Sequence, residues 1–492
     1  MNDISRHAAP TAGFRSSALR AGDEGSRVAG ARLSGPDKVE VINPHDGSAI
    51  ATLSVAGADD ATRALDHART YRARLSRHRR REILLRAAQA LDSRFDEAAT
   101  LISLESGLSL VDTGREVRRV LAVLQTAAAE LLRDDAASFA GDTTPEEARR
   151  RIVTSREPLD GAILAITPFN HPMHQVAGKV VPAVATNNRV VLKPSEKTPL
   201  SALYFADLML DAGLPSPMLQ VLVGPAPSIV GCLLRRPEIA MLSFTGSVET
   251  GRMLASRTGA RRLVLELGGN DALIVMDDAD VQRAALLAAE GAFANSGQRC
   301  TAVKRILVQR RLAADFTARL AELTAEWTWG DPRTTRIGTV IDESAARQVE
   351  SRVAAAIDTG ARLLVGHRVA GAAYAPTVLA EVDPGMRLVQ EETFGPVAPV
   401  IAFDTVDEAI AIANGTAFGL SASVCTNRLD VIDRLFHALR VGALNVWEVP
   451  GWRTELAPFG GVKASGLGDK EGVLEAMRGY TTIKSLSMPW GA

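Results

Sequence analysis

The chain has 492 residues, roughly two to three domains' worth, with 46% hydrophobic and 23% charged residues, the balance of an ordinary globular protein. Its formal net charge of -1 gives no bulk attraction to nucleic acid, and no apolar run is long enough to cross a membrane. The cysteines are Cys232, Cys300 and Cys425, too few and too odd a set for a disulfide framework; they fit a reducing, cytoplasmic compartment and leave room for one catalytic thiol.

Residues 1–38 are rich in Ala, Arg, Ser and Gly with little hydrophobic pattern, which predicts a disordered extension. They lack the apolar core of a secretory signal, and Asp3, Asp23 and Glu24 count against a mitochondrial-type leader. The dense basic run Arg72, Arg74, Arg77, Arg79, Arg80 and Arg81 precedes Ile83, Leu84 and Leu85, and reads as a solvated helix start rather than a polyanion patch. From about residue 160 apolar strands alternate with helix-length segments. The runs 162–166, 189–192, 219–223, 241–244, 263–267 and 272–275 read as strands, and 199–212 as a helix between two of them. Strands buried on both faces and alternating with helices build a parallel, helix-covered sheet, an α/β fold. A helix is expected over 280–295, followed by a second alternating block over 305–401. The short segments 150–156 and 480–488, rich in Ile, Val, Thr and Tyr, stand outside both blocks; they suit edge strands, either within the monomer or between subunits.

Several loops at strand ends carry reactive groups. Cys300 closes Ser296-Gly297-Gln298-Arg299-Cys300, where a glycine turn exposes it and Arg299 favours its thiolate, the reactive form. Cys232 and Cys425, on a predicted helix and strand, read as packing residues. Glu266 ends an apolar strand and runs into Gly268-Gly269-Asn270. Burial there raises a carboxylate pKa as a general base needs, although satisfaction by nearby backbone donors is an equal reading. Asn170 lies in Ile166-Thr167-Pro168-Phe169-Asn170-His171-Pro172, and its amide NH2 is a neutral donor suited to an oxyanion. Lys193 and Glu196 follow another strand and suit the hydroxyls of a ribose. Gly246 and Ser247 lead into a helix whose first amides suit a phosphate. No G-x-G-x-x-G stands there, so the usual dinucleotide fingerprint is absent. Each signal alone is unspecific; their combination is not.

That combination resembles the aldehyde dehydrogenase superfamily from about Val39 onward, in the ordered motifs ITPFNHP, KPSE, SFTGS, LELGGN, GQRC, EETFGPV and PFGGVKASG. The resemblance implies an aldehyde dehydrogenase-like fold: a Rossmann-type parallel-sheet NAD-binding domain over 39–147 and 159–267, and a second α/β catalytic domain over 268–478 carrying Cys300. A small β flap over 148–158 and 479–492 would serve a homodimer or homotetramer. It further implies Cys300 as nucleophile, Glu266 as the base that activates water, and Asn170 with the Cys300 amide as oxyanion hole. Thr167, Lys193, Glu196, Gly246, Ser247, Leu267, Glu392 and Phe394 would bind NAD, and no metal is expected. A carboxylate at Glu196 would accept from a free 2'-hydroxyl and repel a 2'-phosphate, favouring NAD over NADP. A CoA-acylating branch generally lacks the water-activating Glu, and a non-catalytic role would not keep Cys300, Glu266 and Asn170 together.

The sequence also looks like the phosphonoacetaldehyde dehydrogenase branch, in TPFNHPMHQVAGKVVPAVATNN, SGQRCTAVKRILV, NVWEVPGWRTELAPFGG and KEGVLEAM. The implied substrate is a small anionic aldehyde, phosphonoacetaldehyde, in 2-aminoethylphosphonate breakdown. Arg119, His171, Arg299, Thr301 and Arg453 are the candidate substrate residues: guanidinium and imidazole groups suit an oxyanion head. Arg115, Arg118, His174 and Gly178 depart from the branch pattern. Glyceraldehyde 3-phosphate, succinate semialdehyde and lactaldehyde are the rival substrates.

Overall fold

The structure is a computed structural model that describes residues 24–72, 74–133, 135–143 and 150–490. Two seven-stranded sheets organise it. In the first, the strands Arg262–Glu266, Ile239–Thr245, Ala162–Ile166, Arg189–Lys193 and Leu219–Val221 run parallel in that order. They are apolar on both faces because helices cover both. Ile163 and Ala165 point into a core shared with the helices Arg77–Ser93, Phe95–Ser106, Leu110–Glu130, Pro172–Ala185 and Leu200–Asp211. Their neighbours Ala162 and Leu164 point to the opposite core, built with Ala58–Thr70, Ala226–Leu233 and Val248–Thr258.

From Ala162–Ile166 the chain winds outward through Arg189–Lys193 and Leu219–Val221, then crosses back to add Ile239–Thr245 on the other side. The sheet therefore reverses between Ala162–Ile166 and Ile239–Thr245. The crevice beyond the carboxyl ends of strands at such a reversal is where open α/β sheets bind ligands. The loops beginning at Thr167 and Gly246 stand there.

The expected disordered extension does not reach residue 38. Glu24–Gly25 pairs with Ala49–Ser54, and Arg27–Val28 adds antiparallel to Leu219–Val221 at the edge of the first sheet. Ion pairs hold this segment where apolar patterning does not: Arg27 donates to Asp207 at 2.6 and 2.7 Å and to Glu24 at 3.0 Å. Residues 1–23 lie outside the described residues.

The second sheet has the order Arg362–Val365, Thr377–Ala380, Val397–Phe403, Val303–Gln309, Asp271–Val275, Ser421–Cys425, Ala443–Val446, parallel but for the first strand. The C-terminal part of the segment expected to be catalytic belongs elsewhere. Val473, Ala476 and Tyr480 join the core of the first sheet's helices, so the helix Val473–Gly479 is part of the nucleotide-side unit. A separate three-stranded sheet, Ser138–Ala140, Arg150–Pro158 and Thr481–Pro489, forms a flap. Among the described residues no helix is long and apolar enough to cross a membrane.

Arg77, Arg79, Arg80 and Arg81 of the basic run form the start of the helix Arg77–Ser93, capped by Ser76, whose hydroxyl accepts from Arg79 N, while Arg72 and Arg74 precede it. Cys425 is fully buried in its strand and Cys232 packs on a helix against Thr62, as packing residues do.

Candidate active site

The nucleophile candidate stands in an unusual turn. The helix Val281–Phe293 ends, and Asn295, Ser296 and Gly297 follow with φ of +60°, +54° and +67° before Cys300 and the strand Val303–Gln309. Only glycine serves at 297, where a Cβ would lie 2.2 Å from Gly395 O. The turn meets the first sheet through Asn170, whose Nδ2 donates to Gln298 O at 2.8 Å, while Asn295 Nδ2 donates back to Asn170 O at 3.0 Å. An amide NH2 has two hydrogens, so Asn170 keeps one for an oxyanion after bonding Gln298.

Glu266 ends its strand 3% exposed, with neither carboxylate oxygen hydrogen-bonded. Burial, then the neighbouring Glu471, raises its pKa well above the ordinary value. Lys179 opposes this: its Nζ donates to Glu471 Oε1 at 2.6 Å and to Ser243 Oγ at 3.0 Å. The backbone of Gly460 passes so close that a Cβ there would sit 2.7 Å from Glu266 Oε1. A side chain at 460 would crowd the carboxylate.

Arg299 attracts the thiolate as the sequence suggested, but it is not the chief cation acting on the thiol. Burial, then Asp271, Glu392 and Glu266, push Cys300 up to about 12, and the cation that chiefly opposes them is Arg453. The Arg299 guanidinium instead turns to the helix end, donating through Nη2 to Gly291 O at 2.7 Å and Glu290 O at 3.3 Å. Arg453 lies inside the cleft, stacked 3.6 Å over the Phe459 ring.

The other candidate substrate residues gather around two carboxylates that sequence reasoning missed. Glu455 accepts from Arg119 Nε at 2.7 Å and faces His174 Nε2 at 3.1 Å. Glu116 accepts from the amides of Met173 and His174 at 2.8 and 3.0 Å and lies 3.4 Å from His171 Nδ1. Burial, then Arg119, lowers His174 to about 4, so the imidazole is neutral at pH 7 and donates to Glu455. Thr301 touches this loop, since a Cβ on Gly451 would meet its methyl at 2.4 Å. Glu455 stands two residues after Arg453, and that spacing in a single loop was its only sequence signal.

On the cofactor side, Lys193 Nζ donates to Glu196 Oε1 at 3.2 Å, and Glu196 also accepts from Ala226 N at 3.0 Å. Ser247 caps the helix Val248–Thr258, its Oγ accepting from Thr250 N, which leaves the first amides of that helix for a phosphate. A Cβ at 246 would strike the Phe244 ring at 2.5 Å. The hydroxyls of Thr167 and Thr245 are buried without partners in the same crevice. Leu267 is buried against Gly251, and Glu392 Oε1 accepts from Gly269 N at 2.9 Å. Phe394 meets Phe169 edge-on at 5.9 Å. Phosphate-ready amides, orphaned hydroxyls and flanking carboxylates fit a dinucleotide. Among the described residues no group of three His, Cys, Asp or Glu comes together as a metal site.

Comparison with known proteins agrees with this geometry. The profile of the aldehyde dehydrogenase family matches residues 32–486. The chain is 38% identical over 448 residues to a 3-sulfolactaldehyde dehydrogenase of Priestia aryabhattai, covering 90% of this chain and 94% of that protein. It is 35% identical to a sulfoacetaldehyde dehydrogenase of Neptuniibacter caesariensis, covering 91% and 98%. The crystal structure of an NAD-dependent aldehyde dehydrogenase from Sinorhizobium meliloti superposes with a TM-score of 0.90 at 32% identity, over 96% of this chain and 95% of that one. A cysteine and a buried glutamate facing one another across a dinucleotide crevice thus have their place: the chain belongs to the aldehyde dehydrogenase family and is a nicotinamide-dependent aldehyde oxidoreductase.

Proposed function

We propose that the enzyme oxidises a short aldehyde with an oxyanion head group, phosphonoacetaldehyde, to the corresponding acid with NAD. The observation that carries this reading is the grouping of Arg119, His171, His174 and Arg453 around Glu455 and Glu116, beside Thr301 and the nucleophile. Charge-assisted bonds from such groups contribute about 1.5–3 kcal/mol each to holding an anion. Arg299 serves in this reading by its charge next to the reacting carbon, not by its fork.

The sulfur of Cys300 loses its proton to water and adds to the aldehyde carbon as the C–S bond forms. The negative charge that develops on the carbonyl oxygen falls to Asn170 Nδ2 and the Cys300 amide. A bound nicotinamide supplies the hydride acceptor, and Lys193, Glu196, Gly246, Ser247, Leu267, Glu392 and Phe394 would hold it with its dinucleotide. The resulting thioester carbon is attacked by water that Glu266 deprotonates, and the carboxylic acid leaves as the C–S bond breaks. Glu196 supports NAD over NADP, because a 2'-phosphate would meet its carboxylate.

A second reading is a sulfonate aldehyde. Glu455 cancels part of the positive charge around the head group, which suits a monoanion, and the two relatives named above act on sulfonate aldehydes. Initial rates of NADH formation decide between them. The panel is phosphonoacetaldehyde, sulfoacetaldehyde, 3-sulfolactaldehyde, glyceraldehyde 3-phosphate, succinate semialdehyde, lactaldehyde and propanal. The proposal expects the highest kcat/KM for phosphonoacetaldehyde. A sulfonate winner moves the assignment to the second reading, and a flat profile removes the anion-binding role from the arginines.

A further inference from the structure

The turn that presents Cys300 is held from below by a group the mechanism does not use. Two successive non-glycine residues, Asn295 and Ser296, take left-handed backbone angles ahead of Gly297. L-residues rarely adopt that conformation in succession, so the surroundings have to impose it. The Ser296 hydroxyl is buried with no partner and contributes nothing to holding it. Asn295 is fixed by its side chain on Asn170 O and Gln298 O, and by its backbone N–H, which donates to Asp112 Oδ2 at 2.9 Å.

Asp112 is buried in the first turn of the helix Leu110–Glu130, the helix that also carries Glu116 and Arg119. Its own position is set locally: Ser109 Oγ donates to Asp112 Oδ2 at 3.0 Å and accepts from Asp112 N at 3.3 Å. Arg115 Nη1 lies 3.5 Å from the other oxygen. Arg299 faces the same carboxylate, whose charge is the largest electrostatic influence favouring that guanidinium. One buried carboxylate thus meets the start of the nucleophile's turn and the residue immediately before the nucleophile.

We infer that Asp112 is a positioning residue, which fixes the left-handed turn 295–297 and so the presentation of Cys300 to the aldehyde. The inference rests on the reading of Cys300 as nucleophile.

The test compares Asp112→Ala and Asp112→Asn with the unaltered chain. Three quantities are read: kcat for propanal at saturating NAD, the KM for NAD, and the rate at which iodoacetamide labels Cys300, followed on its own peptide by mass spectrometry. In the alanine variant kcat and labelling rate fall together by about tenfold or more, since misplacing a reacting atom by about 1 Å costs up to about a hundredfold, while KM for NAD stays within about twofold. The asparagine variant keeps an acceptor oxygen and recovers most of both. An alanine variant that labels and turns over within about twofold of the unaltered chain overturns the inference. Should that variant fail to fold, amide hydrogen exchange on the unaltered chain decides. Exchange at Asn295 as slow as in the strand Val303–Gln309 supports the role, and exchange as fast as in an exposed turn removes it. Failure of the underlying reading looks different: a Cys300→Ala enzyme that still oxidises propanal dismisses the nucleophile whatever Asp112 does.

Discussion

At the residue scale the cleft is governed by a contest between burial and a few cations. Cys300, Glu266 and Glu392 all have raised pKa values, with burial the first cause of each. Arg453 is the main counterweight at the thiol. In the free enzyme the thiol is protonated at neutral pH, so alkylation of Cys300 by iodoacetamide should be slow at pH 7 and climb steadily into the alkaline range. Arg453→Gln should raise the thiol pKa and slow labelling further at any pH below about 12, by about tenfold for each unit of that rise. A labelling rate that is flat between pH 7 and pH 10, or unchanged in the variant, contradicts the assignment of these charges. The candidate reacting groups could be picked out in the sequence because each stands in a distinctive loop at the end of an apolar run. The direction of a long side chain could not. Adjacency to Cys300 made Arg299 the obvious partner, yet its fork points to helix carbonyls formed nine and eight positions earlier, a contact that exists only once the helix end and the turn have folded together.

At the element scale, strands buried on both faces were readable as continuous apolar runs, and the structure places them within a few residues of expectation. The N-terminal strands were not, since Arg27–Val28 is too short to show a period. Its place is fixed by charge. Arg27 is buried between Glu24 and Asp207, and Arg32 reaches the same two carboxylates. Arg27→Met should destabilise the protein by about 3 kcal/mol, the lower end for breaking a buried ion pair, because Arg32 still neutralises part of the acid charge. Urea unfolding monitored by circular dichroism measures it. A change below about 0.5 kcal/mol, the ordinary range of surface substitutions, would place this segment outside the cooperative fold. Val473–Gly479 teaches the same lesson: it falls at the end of the segment expected to be catalytic but packs on the nucleotide-side helices, and nothing local announces which of two cores a short helix will join.

At the scale of the whole molecule, the flap is a place where apolar side chains stand out to solvent. Phe139, Ile483 and Leu486 stand on it 53%, 63% and 61% exposed. Phe139 and Ile483 share one face of this small sheet and Leu486 stands on the other; apolar side chains so exposed mark a sheet that packs against a partner, and a homo-oligomer of this chain is the proposed occupant. The double variant Ile483→Asp, Leu486→Asp should sediment as a monomer where the unaltered chain sediments as a dimer or tetramer; persistence of the larger species in the variant would move the interface elsewhere.

The flap also orders events during synthesis. Arg150–Pro158 pairs along its whole length with Thr481–Pro489, from Arg150 opposite Pro489 to Pro158 opposite Thr481. A ribosome making about 5–20 residues per second needs about 15–70 seconds to travel from one strand to the other. Throughout that interval the earlier strand has its partner edge bare, while the strands of both large sheets are being made and begin to fold. An open edge is the usual point at which unfinished chains pair wrongly with one another. Chaperone demand for this protein should therefore rise with the time taken to translate the stretch between the two strands, and slow codons anywhere within it would lower the yield.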